Sequence, residues 1–138
     1  MENTKITVQI TVNYPIEKVW KIWTSEEDIK QWNNASDDWH TSKAEINLVV
    51  GGTFSSRMEA KDGSFGFDFS GKYTAVKTNE LIAYTMDDHR TCIINFKNIG
   101  NETLIIQTFE AETENPIEMQ EFGWQAIMNN FKKYAESK

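Results

Sequence analysis

Cysteine, positive charge and long apolar runs are all scarce in this sequence. The 138 residues include one cysteine, Cys92, which excludes an internal disulfide and fits a reducing compartment. Fourteen basic residues stand against twenty-one acidic ones, so the formal net charge is −7. Nucleic acids and anionic membranes select for lysine and arginine patches, and this balance therefore disfavours both as partners. No stretch resembles a membrane span or a signal peptide, and we expect a cytoplasmic protein.

Motifs that carry chemistry are scarce as well. His40, His89 and Cys92 lack the spacing of a zinc site, and no serine lies in a nucleophile-elbow context. Gly51-Gly52 precedes a strand pattern and not a helix, which excludes a phosphate loop. His40 could transfer protons near neutral pH, but its polar segment is expected to be solvated. The sequence therefore predicts no catalytic residue, no metal and no cofactor, and it favours a non-enzymatic role.

Aromatic residues, by contrast, are abundant. Five Trp, eight Phe and four Tyr argue against disorder, because such rings bury large areas. A chain of this length is most simply one domain, residues 1–138, with a real hydrophobic core. Bulky rings either fill that core completely or leave irregular gaps, and composition alone leaves both alternatives open.

Hydrophobic periodicity predicts a strand, two short helices, six more strands and a long helix. Lys5 to Tyr14 alternates as a strand, and Pro15 then suits the first turn of a helix. Ser25 with Asp28 resembles a capping box that starts the second helix. A polar loop follows, and a final helix runs from Pro116 to about Glu136. The six later strands are predicted at Ala44–Val50, Thr53–Ala60, Phe65–Val76, Leu81–Met86, Thr91–Lys97 and Thr103–Glu112.

The breaks between these strands are too short to contain a crossover helix. The strands should therefore form an antiparallel meander. One curved seven-stranded sheet wrapped around the C-terminal helix accounts for this β-α-α-β6-α order, which is an α+β architecture.

Several segments carry a resemblance to a known family. They are Gly51-Gly52-Thr53-Phe54, Arg57 to Ser64, Gly66 to Phe69, Gly71-Lys72-Tyr73 and Gly123 to Ile127. With the order of elements, they resemble the SRPBCC (START/Bet v 1-like) superfamily, and within it the bacterial branch named after the activator of Hsp90 ATPase homologue 1. The resemblance implies a helix-grip fold with a cavity between the sheet and the C-terminal helix. One turn departs from the pattern, because it has His89 where such proteins often have glycine. A positive φ there is energetically less favourable than it would be for glycine.

Inward-facing rings and thioethers would line such a cavity. Period-two alternation and the helical stripe place apolar residues on the concave side, and Gly123 would allow close approach beside them. The polar candidates for contacting a ligand are Arg57, Arg90, Gln107 and His40. Strand parity, however, places Arg57 outward, at the surface or in an ion pair. The candidate ligand-binding residues are Trp39, Phe54, Met58, Phe67, Phe69, Tyr84, Cys92, Trp124 and Met128.

The function that we expect is non-covalent binding of a small hydrophobic or aromatic ligand. One alternative is a polyketide cyclase or hydrolase-like enzyme that uses the same cavity. Another is an Hsp90-type co-chaperone or interaction module, although such co-chaperones carry an additional N-terminal domain that we do not expect here. Met119 and Phe122 lie on the helix face opposite Trp124. Either a loop covers them, or they contact a second subunit or another protein partner.

Overall fold

The structure, a computed structural model, describes residues 4–138 and confirms the predicted order of elements. The strands are β1 (Lys5–Val12), β2 (Trp39–Ile46), β3 (Thr53–Ala60), β4 (Gly66–Lys77), β5 (Leu81–Met86), β6 (Thr91–Ile99) and β7 (Glu102–Glu110). The helices are α1 (Ile16–Trp23), α2 (Glu26–Trp32) and α3 (Ile117–Glu136). Within the described range, no helix is both long enough and apolar enough to cross a membrane.

The seven strands form one antiparallel sheet in the order β1-β7-β6-β5-β4-β3-β2. The first strand therefore pairs with the last, with Ile6 opposite Phe109. The two short helices carry the chain from one edge of the sheet to the other, where β2 begins. This arrangement, a curled half-barrel around a long helix, is the predicted helix-grip fold.

The two short helices begin where local chemistry starts them. Pro15 precedes α1, and its fixed φ of −66° fits the entry to a helix. At α2 the Ser25 hydroxyl accepts a hydrogen bond from the Asp28 backbone N–H at 3.3 Å, which confirms the predicted cap. Both helices bury their apolar faces, including Val19 on α1 and Ile29 on α2.

Helix α3 covers only part of the sheet. It packs mainly along β1 and against α1 and α2. Near the C-terminal end of α3, Phe131 is fully buried and packs against the rings of Trp23 and Trp32, with centroids 4.8 and 4.9 Å away. The edge-to-face geometry of these rings is favourable, and it fixes the C-terminal half of α3 in the core. The N-terminal half of the helix faces the curved strands β3 to β5 across open space.

Strand β2 differs from its predicted position. It spans Trp39–Ile46, whereas the pattern indicated Ala44–Val50. Thr41 is buried and pairs with Met58, so a polar residue occupies an inward position that apolar alternation does not reveal. The register also shifts between Thr41 and Lys43, which breaks the period of two. Part of the predicted loop therefore belongs to the sheet.

The turn between β5 and β6 contains His89 with a positive φ of 74°. This is the left-handed conformation expected for the turn, adopted here without glycine. The neighbouring Asp88 carboxylate accepts the Arg90 backbone N–H at 3.2 Å and supports the turn. The turn consequently holds the Arg90 side chain beside the cavity.

Candidate functional site

A cavity of about 420 Å³ lies between the sheet and the N-terminal half of α3. Strands β3, β4 and β5 form one wall, α3 forms the opposite wall, and α1 and α2 close one end. Its size falls within the range of roughly 300–1,000 Å³ that is usual for small-molecule sites. The antiparallel meander creates the space because its curvature carries β3 to β5 away from the helix.

Six of the nine predicted ligand-binding residues line this cavity. They are Phe54, Met58, Phe67, Phe69, Tyr84 and Trp124. The structure places the other three elsewhere. Cys92 and Met128 are sealed in the core, with 1% and 0% of their surface exposed. Trp39 lies beyond the cavity at the sheet edge, packed 6.0 Å from the rings of both Phe65 and Phe67.

Aromatic rings dominate the wall. The Phe54 ring lies 4.7 Å from Tyr84, 5.3 Å from Tyr73 and 5.8 Å from Phe69, measured between centroids. Across the cavity, Phe69 meets Trp124 at 6.1 Å in an edge-to-face arrangement. The rings support one another at distances typical of favourable aromatic pairs. The result is a preformed apolar wall.

Trp124 is held in place from behind. Its indole stacks on Phe109 with centroids 3.8 Å apart and planes inclined by 14°. Phe109 is buried and does not line the cavity, so it fixes one indole face while the rest of Trp124 meets the cavity. The sequence stripe predicted Trp124 at this wall but could not show this support.

A polar group interrupts the apolar wall at Tyr84. Cys92 and Gln107 lie beside its hydroxyl, and the Gln107 amide donates to the Cys92 sulfur at 3.4 Å. Burial raises the pKa of Tyr84 well above its ordinary value, and it raises the pKa of the Cys92 thiol to about 11. Burial likewise raises the pKa of Tyr73 to about 12. All three groups are therefore neutral at pH 7, where they do not supply a base or a thiolate.

Arg90 lies at the wall where β5 turns into β6. Its Nε donates to the Asp88 carboxylate at 2.7 Å, and its Nη1 donates to the Glu110 carbonyl at 3.1 Å. Burial on its own would raise the pKa of Asp88, but the hydrogen bonds and charge of Arg90 hold it below the ordinary value. Asp88 is thus an anion that pairs with Arg90. Among the described lining residues, Arg90 is the one cation and Glu112 the one anion.

The loop between β7 and α3 forms part of the rim, and Gln120 holds it. The buried Gln120 side chain accepts from the Glu112 backbone N–H at 2.9 Å and donates to the Asn115 carbonyl at 2.9 Å. The Glu112 carboxylate in turn accepts the Asn115 backbone N–H at 2.8 Å. The strand and helix patterns gave no sign of this role, since Gln120 is a polar residue within an exposed first turn.

Gly123 does not serve the purpose that the sequence indicated. A Cβ atom built at this position meets nothing within 4 Å, so the glycine is not required for close approach of another segment. Met119, Gly123 and Ile127 all line the cavity and lie four residues apart on one helix face. The prediction of close approach was wrong. The missing side chain instead leaves space open at the cavity wall.

The remaining polar candidates lie outside the cavity. Arg57 forms ion pairs with Glu59 at 3.2 Å and Asp68 at 3.5 Å, which agrees with the outward position predicted from strand parity. His40 is partly exposed, and its Nε2 lies 3.4 Å from the Glu59 carboxylate. In the part of the chain that the structure describes, no group of three His, Cys, Asp or Glu side chains is arranged to hold a metal ion.

Two apolar residues of α3 are exposed, as expected. Phe122 has 78% of its surface exposed and Met119 has 60%. Among the described residues, no loop buries either side chain. Met119 also lines the cavity, so it connects this outer helix face to the rim.

A family model and one solved structure point to the same family. The sequence model of the Activator of Hsp90 ATPase homolog 1-like protein family matches residues 13–136. The solution structure of an AHSA1-like protein from Aeromonas hydrophila is 42% identical with a TM-score of 0.91, over 97% of this chain and 93% of that one. A protein from Cytophaga hutchinsonii is 50% identical with a TM-score of 0.84, over 96% and 92%. No curated protein matches the sequence.

More distant structures share the fold alone. A protein from Nitrosomonas europaea is 18% identical, yet it superposes with a TM-score of 0.81 over 96% of this chain and 94% of its own. At such identity the likeness carries no statement about ligands. It does show that the architecture tolerates extensive replacement of side chains.

Proposed function

We propose that this chain, which belongs to the Activator of Hsp90 ATPase homolog 1-like family, binds a small hydrophobic or aromatic molecule without catalysing a reaction. The site is the cavity between the sheet and α3. Proteins of this fold commonly bind hydrophobic ligands, and the chain has both the sequence and the architecture of the SRPBCC superfamily.

The observation that carries this proposal is the aromatic wall around an open volume. Phe54, Phe69 and Trp124 present apolar surface to about 420 Å³ of space instead of filling it. A ligand that covers this surface gains roughly 25 cal/mol for each Å² of apolar area removed from water. Because the rings already contact one another, little ordering is needed on binding, and this favours affinity.

The cyclase or hydrolase alternative finds less support in the same wall. An enzyme of that kind needs inward ionisable groups whose pKa values approach the working pH. Tyr84 and Cys92 do lie together, but burial moves the pKa of each upward and away from neutrality. The neutral Tyr84 hydroxyl remains a hydrogen-bond donor, a role that serves binding.

Native mass spectrometry of freshly purified protein tests the proposal. We expect an additional mass of a few hundred daltons in the native spectrum that disappears under denaturing conditions, because a preformed apolar cavity retains a ligand from the cell. If no additional mass is present, a thermal-shift screen with lipids and aromatic compounds should still show stabilisation. Absence of both effects would contradict the proposal.

A protein-interaction role through Met119 and Phe122 is the second candidate. Its support is the exposure of Phe122 on the outer face of α3 and of Met119 at the cavity rim. Sedimentation velocity of the wild type and of Phe122→Glu would test self-association through this face. Dimers that disappear in the variant would support the role, and a monomer at all concentrations would remove the homodimer.

A further inference from the structure

The cavity offers a cation whose charge is already balanced. The Arg90 guanidinium donates from Nε to the Asp88 carboxylate at 2.7 Å, and Asp88 is an anion near neutral pH. The other charged lining residue, Glu112, lies two positions beyond Glu110, whose backbone carbonyl accepts from Arg90 at 3.1 Å. Among the described lining residues, the charges of Arg90 and Glu112 are equal and opposite, and Arg90 is additionally paired with Asp88. No lining cation is therefore left unbalanced before a ligand binds.

Arg90 nevertheless retains unused hydrogen-bond donors. A guanidinium carries five N–H groups. Asp88 and the Glu110 carbonyl take two of them, and residues 4–138 provide no partner for the other three. The Arg90 side chain is 19% exposed and lines the cavity, so an acceptor atom bound at this wall can reach these donors.

We propose, building on the binding function above, that the ligand is an uncharged molecule with an apolar body and one hydrogen-bond acceptor, such as an ester or ketone oxygen, which Arg90 binds. The acceptor oxygen lies at the Arg90 end of the cavity. The apolar body lies among Phe54, Phe69 and Trp124. Arg90 thus selects by hydrogen bonding and not by net charge.

A carboxylate is disfavoured for an electrostatic reason. Taking an anion out of water is costly unless a cation compensates it, and the charge of Arg90 is already paired with Asp88. A carboxylate at this wall would compete with Asp88 for Arg90, and the described lining residues include a second anion, Glu112, but no further cation. An ester oxygen gains a charge-assisted hydrogen bond without that cost.

Two matched sets of compounds test this selection by isothermal titration calorimetry at neutral pH. The aliphatic set is methyl decanoate, decanoate and decane, and the aromatic set is methyl cinnamate, cinnamate and propenylbenzene. In the set whose body fits the cavity, we expect the ester to bind about tenfold more tightly than the hydrocarbon, because it adds a hydrogen bond to a charged donor. The carboxylate should bind most weakly.

Two variants separate the donor from the charge. Arg90→Leu should abolish the preference for the ester over the hydrocarbon, because the donor to the ester oxygen is lost. Asp88→Asn removes the balancing charge and keeps one oxygen acceptor, so it should raise the affinity of the carboxylate relative to that of the ester several-fold. Thermal unfolding of both variants would establish that they are folded.

The outcomes distinguish this inference from the function on which it depends. A carboxylate that binds the wild type as tightly as the ester would overturn the inference, as would a hydrocarbon that binds equally well. Both results would leave hydrophobic binding intact. Failure of all six compounds to bind would instead count against the proposed function itself.

Discussion

Trp124 shows how one residue serves the core and the cavity together. Phe109 stacks on one face of its indole at 3.8 Å, and Phe69 approaches it edge-to-face at 6.1 Å. The stacked contact fixes the ring, so the surface that it presents to the cavity is preformed. A ligand that contacts Trp124 therefore has no rotamer of that side chain to immobilise.

Gly123, one residue earlier, has no neighbouring segment packed closely against it. A glycine within a helix costs about 1 kcal/mol relative to alanine, and here no neighbouring atom requires its absence of a side chain. We expect Gly123→Ala to increase the free energy of unfolding by about 1 kcal/mol. Urea denaturation would measure the change. A loss of stability would show that an alanine side chain does not fit this wall.

Cys92 should be unreactive in the folded protein. It is 1% exposed, and burial raises its pKa to about 11, so almost no thiolate is present near neutrality. Near pH 8, where an ordinary thiol with a pKa of about 8.5 is alkylated readily, we expect iodoacetamide to modify Cys92 only after unfolding. Mass spectrometry with and without denaturant would show the difference, and rapid modification of the native protein would contradict the burial.

At the scale of elements, α3 combines a fixed half and an open half. Its C-terminal half is anchored by Phe131, which packs against both Trp23 and Trp32. Its N-terminal half borders the cavity and is joined to the preceding loop through the hydrogen bonds of Gln120. Packing therefore stabilises the helix at one end while the other end remains available to a ligand.

Asp28 joins α2 to the end of α3. It accepts hydrogen bonds from the Tyr134 hydroxyl and from Lys138 Nζ, the latter at 2.8 Å. Burial alone would raise the pKa of Asp28, but the hydrogen bonds from Lys138, Tyr134 and Ser25 leave it lowered. A lowered folded-state pKa means that the stabilisation is present above the unfolded value of 3.8 and is lost as the pH falls through the folded value.

We therefore expect Asp28→Asn to lower the free energy of unfolding by about 1 kcal/mol at neutral pH. The difference from the wild type should shrink below about pH 4, because protonation then removes the charge of Asp28 itself. Urea denaturation across this pH range would measure it. A difference that is constant with pH would contradict the assigned charge state.

At the scale of the whole molecule, the sequence predicted the architecture better than the site. Alternation in β1 and β3 and the stripe on α3 reveal which face of each element turns inward. They do not reveal where along an element the cavity ends. Cys92 on β6 and Met128 on α3 turn inward as predicted, but other core side chains cover them.

The polar parts of the site depend on contacts between distant segments. Arg90 reaches the cavity because the left-handed turn at His89 positions it, and Gln120 is buried only because the loop from β7 folds back onto it. No local pattern encodes either contact. The displaced start of β2 has a different cause, since the inward Thr41 is polar and apolar alternation does not mark it.

The measurement that tests the central claim most directly compares two variants at Gly123. Gly123→Ala should leave the cavity open, whereas the longer side chain of Gly123→Leu should occupy it between Met119 and Ile127. Titration with methyl decanoate, followed by the NMR signals of Trp124 and its neighbours, would give both the affinity and the location. We expect the alanine variant to bind like the wild type, and the leucine variant to bind more weakly by about tenfold or more. Equal binding by both variants, with shifts confined to residues outside the cavity, would contradict a ligand site between the sheet and α3.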